Sequence, residues 1–139
     1  MHKKILHGLD GSDGSFKALL EAISIAKNND AELHTLTVEE LPSYPETVSE
    51  ISEEKEGQNG KYNNVLTKAA DLAKREGVEL FNHIVLGHEV QAFIDLINTE
   101  KFDLLVVGFM GHSAIYDRIM GSTCGNLVRL APCSVLVVK

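Results

Sequence analysis

The stretch "VVGFMGHSAIYDRIMGST", residues 106–123, closes an apolar run and sets Gly108, Gly111 and Gly121 three and then ten residues apart, with Ser122 and Thr123 behind them. Glycine weakens the interior of an element and is useful where backbone must turn sharply or come close to a ligand. A helix opening near Ser122 would present unpaired N–H groups and the positive end of its dipole, which favour an anion. Gly108 and Gly111 would then let backbone approach the ligand, Gly121 would let the helix start against a phosphate, and Ser122 and Thr123 would add hydroxyl donors. The spacing suits a polyphosphate. The same residues also fit a plainer role, in which the glycines only turn the chain and Ser122 is an ordinary helix N-cap.

Around this stretch stand further candidates. His112 and Arg118 lie inside it and are candidate phosphate contacts, although a solvent-facing histidine and a surface ion pair explain them as well. Asp10 ends the first apolar run, as a site acid or only as an acid near a helix start. A phosphorylated aspartate would also need clustered acids and a second Asp ending the third strand, which here ends Leu86-Gly87. Neither GxxxxGK[ST] nor GxGxxG is present, since Gly8, Gly11 and Gly14 do not have the second spacing. The six histidines show no HxH or HExxH spacing, so the expectation is no metal held by the protein alone. No Ser/His/Asp or Cys/His set is in register with the glycine stretch, and no general base stands near the expected γ-phosphate. Any hydrolysis should therefore be slow or incidental.

These residues need a scaffold. "KKILHGLD" reads as a buried strand, and the helix after it carries Phe16, Leu19, Leu20, Ile23 and Ala26 inward, with Ser12 or Asp13 capping its start. "AELHTLTV" (31–38) reads as a strand, and a second helix runs from 61 with Val65, Ala69, Leu72 and Ala73 inward until Gly77. Then come a strand over 78–87, a helix showing Val90, Phe93, Ile94 and Ile97, the strand "FDLLVVG", a helix from Ser122 to Pro132, and the strand "SVLVVK". Five strands alternating with four helices predict one α/β domain, with a parallel sheet covered on both faces. "LLVVG" and "VLVV" have the two-sided apolar character that such a sheet requires. Ligands of such sheets bind outside the carboxyl ends of the strands, where strand order reverses. Those ends are Leu9–Ser12, Val38–Glu39, Leu86–His88 and Gly108–Gly111.

Composition narrows the classes. The chain has 139 residues, 44% hydrophobic and 24% charged, as expected of one globular domain. Residues 39–60 hold seven glutamates against Lys55, or −6 of the formal −7, and read as an acidic variable loop containing Pro42, Pro45 and a "GQNG" break. The near-neutral remainder argues against a nucleic-acid surface. No apolar run reaches the length of about 20 residues that spans a bilayer, and the first residues do not form a signal peptide. With Cys124 and Cys133 read as reduced structural thiols, the expected location is the cytoplasm.

Gly108-x2-Gly111-x9-Gly121-Ser122, together with "KKILHGLDGSDGS" and the ending "LVRLAPCSVLVVK", resembles the universal stress protein family and its ATP-binding signature. The resemblance covers all 139 residues apart from the loop 39–60. It implies a doubly wound five-stranded sheet of order 3-2-1-4-5, with adenine nucleotide across the switch between strands 1 and 4. It further implies Leu9 and Val38 at the adenine, and Asp10 on the ribose or adenine side. Gly108, Gly111, Gly121, Ser122 and Thr123 would hold ribose and phosphates, with Mg2+ or Mn2+ accompanying the nucleotide. A homodimer through the last strand, Ser134 to Val138, is also implied. Two departures stand out: His7-Gly8 replaces the Val-Pro or Val-Ala of many relatives, leaving room beside the base, and Ser134 follows Cys133 in place of proline.

The resulting expectation is an ATP-binding regulator, able also to take ADP or AMP, with little or no turnover and a protein partner. The alternatives are an interaction module of the same fold with no nucleotide, and a slow ATPase.

Overall fold

The computed structural model describes residues 2–40, 48–109 and 122–139, and for 48–61 the backbone alone. Along the chain run β1 (Lys4–Gly8), α1 (Asp13–Asn29), β2 (Glu32–Glu40), α2 (Val48–Arg75), β3 (Leu80–Gly87), α3 (Glu89–Glu100), β4 (Leu104–Gly108), α4 (Ser122–Leu130) and β5 (Ser134–Val138). The strands form one parallel sheet in the order β3-β2-β1-β4-β5, as the family resemblance implied. Strand order reverses between β1 and β4, where Ile5, Leu6 and His7 pair with Leu104, Leu105 and Val106. Chain leaves the carboxyl edge in opposite directions there, which opens a crevice.

Alternation along the strands divides the core. Ile5, Leu33, Leu104 and Val106 face α1 and α2, packing against Ala18, Leu19, Ala22, Ile23, Ala69 and Ala73. Leu6, Leu36, Leu105 and Val107 face α3 and α4, against Phe93, Ile97, Cys124 and Leu127. Each fully buried Leu or Val contributes about 1.5–3 kcal/mol, so both faces of β1 and β4 hold the switch point rigidly. Across β2 and β3 run polar rungs: Thr35 Oγ1 donates to Asn82 Oδ1 at 2.5 Å, and His34 Nδ1 lies 2.9 Å from His83 Nε2.

Helix ends follow local chemistry. Ser12 caps α1 in an extended conformation, its Oγ accepting from Ser15 N at 3.1 Å. Gly77, at φ 72°, ends the turn after α2, as its position in the sequence predicts. Asp30 (φ 52°) and Lys101 (φ 61°) end α1 and α3 in the left-handed region without a glycine, their N–H groups returning to Ala26 O and Ile97 O.

Three expectations need correction. The second helix begins at Val48, not at 61, so residues 48–60 of the supposed acidic loop are helical and Gly57 and Gly60 lie inside α2. Glutamate is a good helix former, and each glycine costs only about 1 kcal/mol. The charge of 39–60 is likewise not confined to a connector, because Glu39 and Glu40 complete β2. Leu20 points outward at 54% exposure, while Ala18 and Ala22 fill the face of α1 assigned to it.

Candidate functional site

The crevice is built from the carboxyl edge inward. Leu9 N donates to Leu36 O at 3.0 Å and Leu9 O accepts from Thr37 Oγ1 at 2.7 Å, so the exit of β1 is clamped to β2. Asp10 follows, and its Oδ1 accepts from Ser12 N at 2.9 Å and Ser12 Oγ at 2.5 Å. This carboxylate orders the turn that starts α1, including Gly11 at φ 87° against Val65 of α2. Of the two roles considered for Asp10, this geometry shows the acid at a helix start.

Gly108 ends β4 against the first turn of α1. A Cβ there would meet Gly14 O at 2.9 Å and Gly14 C at 3.0 Å, both backbone atoms that cannot swing away. Its missing side chain lets two chain exits touch. Gly8 is different from expectation: a Cβ at this position meets Phe93 Cζ at 3.0 Å and Val107 Cγ1 at 3.3 Å, so the space beside Gly8 is filled by the core and is not room for a base.

Of the other expected residues, Leu9 is 2% exposed and packs with the α1/α2 cluster, whereas Val38 is half-buried with the α3/α4 cluster. Their side chains thus lie on opposite faces of the sheet. Ser122 is exposed as the first residue of α4, and Thr123 Oγ1 donates to Glu89 Oε2 at 3.3 Å, tying α4 to the start of α3. Gly111, His112, Arg118 and Gly121 lie outside the described residues.

The edge also carries Glu39, which sequence reasoning placed at a strand end without a role, and Glu40, Glu89 and the Tyr62 phenol, which it missed. Glu39 is 4% exposed at the end of β2. Glu40 Oε1 accepts from Glu89 N at 3.1 Å, and its Oε2 lies 3.7 Å from His88 Nδ1, so β2 caps α3 across the sheet. Tyr62 of α2 has its phenol raised above the usual range, first by burial and then by Glu39, Asp10 and Glu89. Three carboxylates from β2, the β1 exit and α3 thus act on one hydroxyl. The signal for Glu39 was present: Thr35, Thr37 and Glu39 continue one face of β2 at period two. Among the described residues no group of three or more His, Cys, Asp or Glu is placed to hold a metal ion.

A helix N-terminus offers N–H donors to an anion, and beside an acidic edge an accompanying cation would offset the like charge. Such an arrangement is a doubly wound α/β domain whose strand order reverses between β1 and β4. The family model of the universal stress proteins matches residues 1–139, and the chain belongs to that family. Universal stress protein MJ0531 of Methanocaldococcus jannaschii is 31% identical over 147 residues, covering 100% of this chain and 83% of the relative. UspA from Lactobacillus plantarum superposes with a TM-score of 0.89 at 25% identity, covering 99% of this chain and 98% of its own. A universal stress protein solved in complex with cAMP is 30% identical with a TM-score of 0.76, covering 99% and 97%.

Proposed function

We propose that this universal stress protein binds ATP at the carboxyl edge between β1 and β4 and acts as a nucleotide-responsive regulator with little or no turnover. The observation that carries the reading is the junction of Gly108 with the first turn of α1, beside the opening of α4 at Ser122 and Thr123. In this reading Asp10 and the donors of α4 stand around one crevice, as the Gly108-x2-Gly111-x9-Gly121-Ser122 pattern would require. A 30% identical relative in complex with cAMP supports an adenine nucleotide as the class of ligand. In this reading Gly111, Gly121, Ser122 and Thr123 meet phosphates, with His112 and Arg118 as further candidates, while Leu9, Asp10 and Val38 meet the nucleoside.

Magnesium or manganese fits as an ion carried on the phosphate oxygens, which is how Mg2+ is commonly held, with Asp10 and Glu89 as the nearby carboxylates. The free thiols Cys124 and Cys133 fit a reducing compartment, the cytoplasm. A homodimer through β5 is supported by its position at the sheet edge and by Val128 and Leu130, exposed on α4.

A second reading, a module of the same fold that binds no nucleotide, is favoured by the acids Glu39, Glu40 and Glu89 at the same edge. Calorimetric titration of nucleotide-stripped protein with ATP, ADP, AMP and cAMP in Mg2+ separates the two. The proposal expects saturable ATP binding, lost in Gly121→Val and weakened when EDTA replaces Mg2+. Absence of heat with all four nucleotides favours the module.

A further inference from the structure

His7 is the buried titratable group that the nucleotide reading leaves unused. It sits in β1 with 0% exposure, and its Nε2 lies 2.8 Å from Ser15 O. A carbonyl only accepts, so the ring carries its proton on Nε2 and Nδ1 is a bare lone pair. That lone pair is buried and meets no donor among the described residues. An unmet buried acceptor costs stability, and an aliphatic side chain would fill a central-strand position without that cost. The histidine is therefore not explained by packing.

The bond from the ring to Ser15 O leads toward Asp10. Ser15 N donates to Ser12 Oγ at 3.1 Å, and Ser15 Oγ donates to Ser12 O at 2.8 Å. Ser12 in turn gives both its N–H and its hydroxyl proton to Asp10 Oδ1, at 2.9 and 2.5 Å. Because Ser12 has one hydroxyl proton, accepting from Ser15 N and donating to Asp10 are compatible only in this order. Every link from the core imidazole to the edge carboxylate thus has a defined direction. Gly108 presses on Gly14 in the same turn, so the turn is held from two sides.

We propose that His7 is a positioning residue for Asp10: by holding Ser15 O it fixes the first turn of α1, and through Ser12 it sets the orientation of the carboxylate offered to the ligand. The affinity consequence rests on the nucleotide reading above. The orientation of the carboxylate does not.

Two variants of the full chain, His7→Val and His7→Gln, test this, since the glutamine amide can donate where Nε2–H does. The carboxyl 13C shift of Asp10 is read without nucleotide, and the MgATP dissociation constant by calorimetry. Expected are a displaced Asp10 signal in His7→Val, a wild-type signal in His7→Gln, and MgATP binding weakened about two- to tenfold in the valine variant alone, the range of one hydrogen bond. In an Asp10→Asn background the valine substitution should cost no further affinity. An Asp10 signal unchanged in folded His7→Val overturns the proposal, as does full additivity with Asp10→Asn. If wild-type protein takes up no MgATP, the nucleotide reading fails, and the Asp10 shift alone decides the role of His7.

Discussion

At the scale of residues, the carboxyl edge is held by close contacts that leave little slack. Gly108→Ala would place a methyl group 2.9 Å from Gly14 O, so either β4 or the start of α1 must move. Overpacking of this kind costs about 1–3 kcal/mol, and the loss should be visible as a lower urea midpoint with an unchanged slope. His7 sets a second expectation. Burial holds its imidazole down to about 4, outweighing the hydrogen bond to Ser15 and the charge of Asp10. The unfolded chain, with an ordinary histidine near 6.5, binds the proton first as pH falls, so stability is lost between about pH 6.5 and 4 and is unaffected by this group above that window. The full span amounts to about 3 kcal/mol. Urea unfolding at pH 7 and pH 4.5 should show wild type losing more stability than His7→Gln, which has no imidazole to charge.

At the scale of elements, β4 was legible because burial on both faces favours Leu and Val: "LLVVG" is β4 residue for residue, whereas β5, read the same way, is only half-buried. The start of α2 was not, since prolines and glycines in 42–60 suggested a break while the glutamates gave no apolar stripe to read. Helix can persist without a stripe when propensity is adequate. Gly57→Ala, inside α2, should therefore raise stability by up to about 1 kcal/mol in chemical denaturation. A loss of stability in Gly57→Ala would contradict helix at that position. The ends of α1 and α3 fall where the next strands begin to read, at Asp30 and Lys101, although both take left-handed conformations usually marked by glycine. The roles of Glu39 and Glu89 escaped notice: their meaning depends on which strand and helix ends share the edge, and topology alone supplies that. The glycine spacing, by contrast, was visible at once, although Gly108 owes its bareness to Gly14 as much as to any ligand.

At the scale of the whole molecule, the sheet ends in two edges of different character. β3 lies at one edge and β5 at the other, with β5 half-buried and Val128 and Leu130 exposed on the neighbouring helix. Replacing both with glutamate should shift the protein from dimer to monomer in sedimentation at micromolar concentration while leaving its circular dichroism unchanged. A wild-type protein that sediments as a monomer would remove the proposed interface. Charge acts at the same scale. The formal −7 makes association with polyanions unfavourable, so under the proposed function the cation carried on the nucleotide would be part of the binding event.

Titrating MgATP into 15N-labelled protein and following the backbone amides decides whether nucleotide lies across the edge between β1 and β4. Nucleotide at that edge gives saturable shifts at Asp10, Gly11, Gly108, Ser122 and Thr123, with the amides of Lys27, Asp30 and Val78 at the opposite end of the sheet unmoved. Saturable shifts confined to that opposite end, or none anywhere at millimolar MgATP, would contradict it.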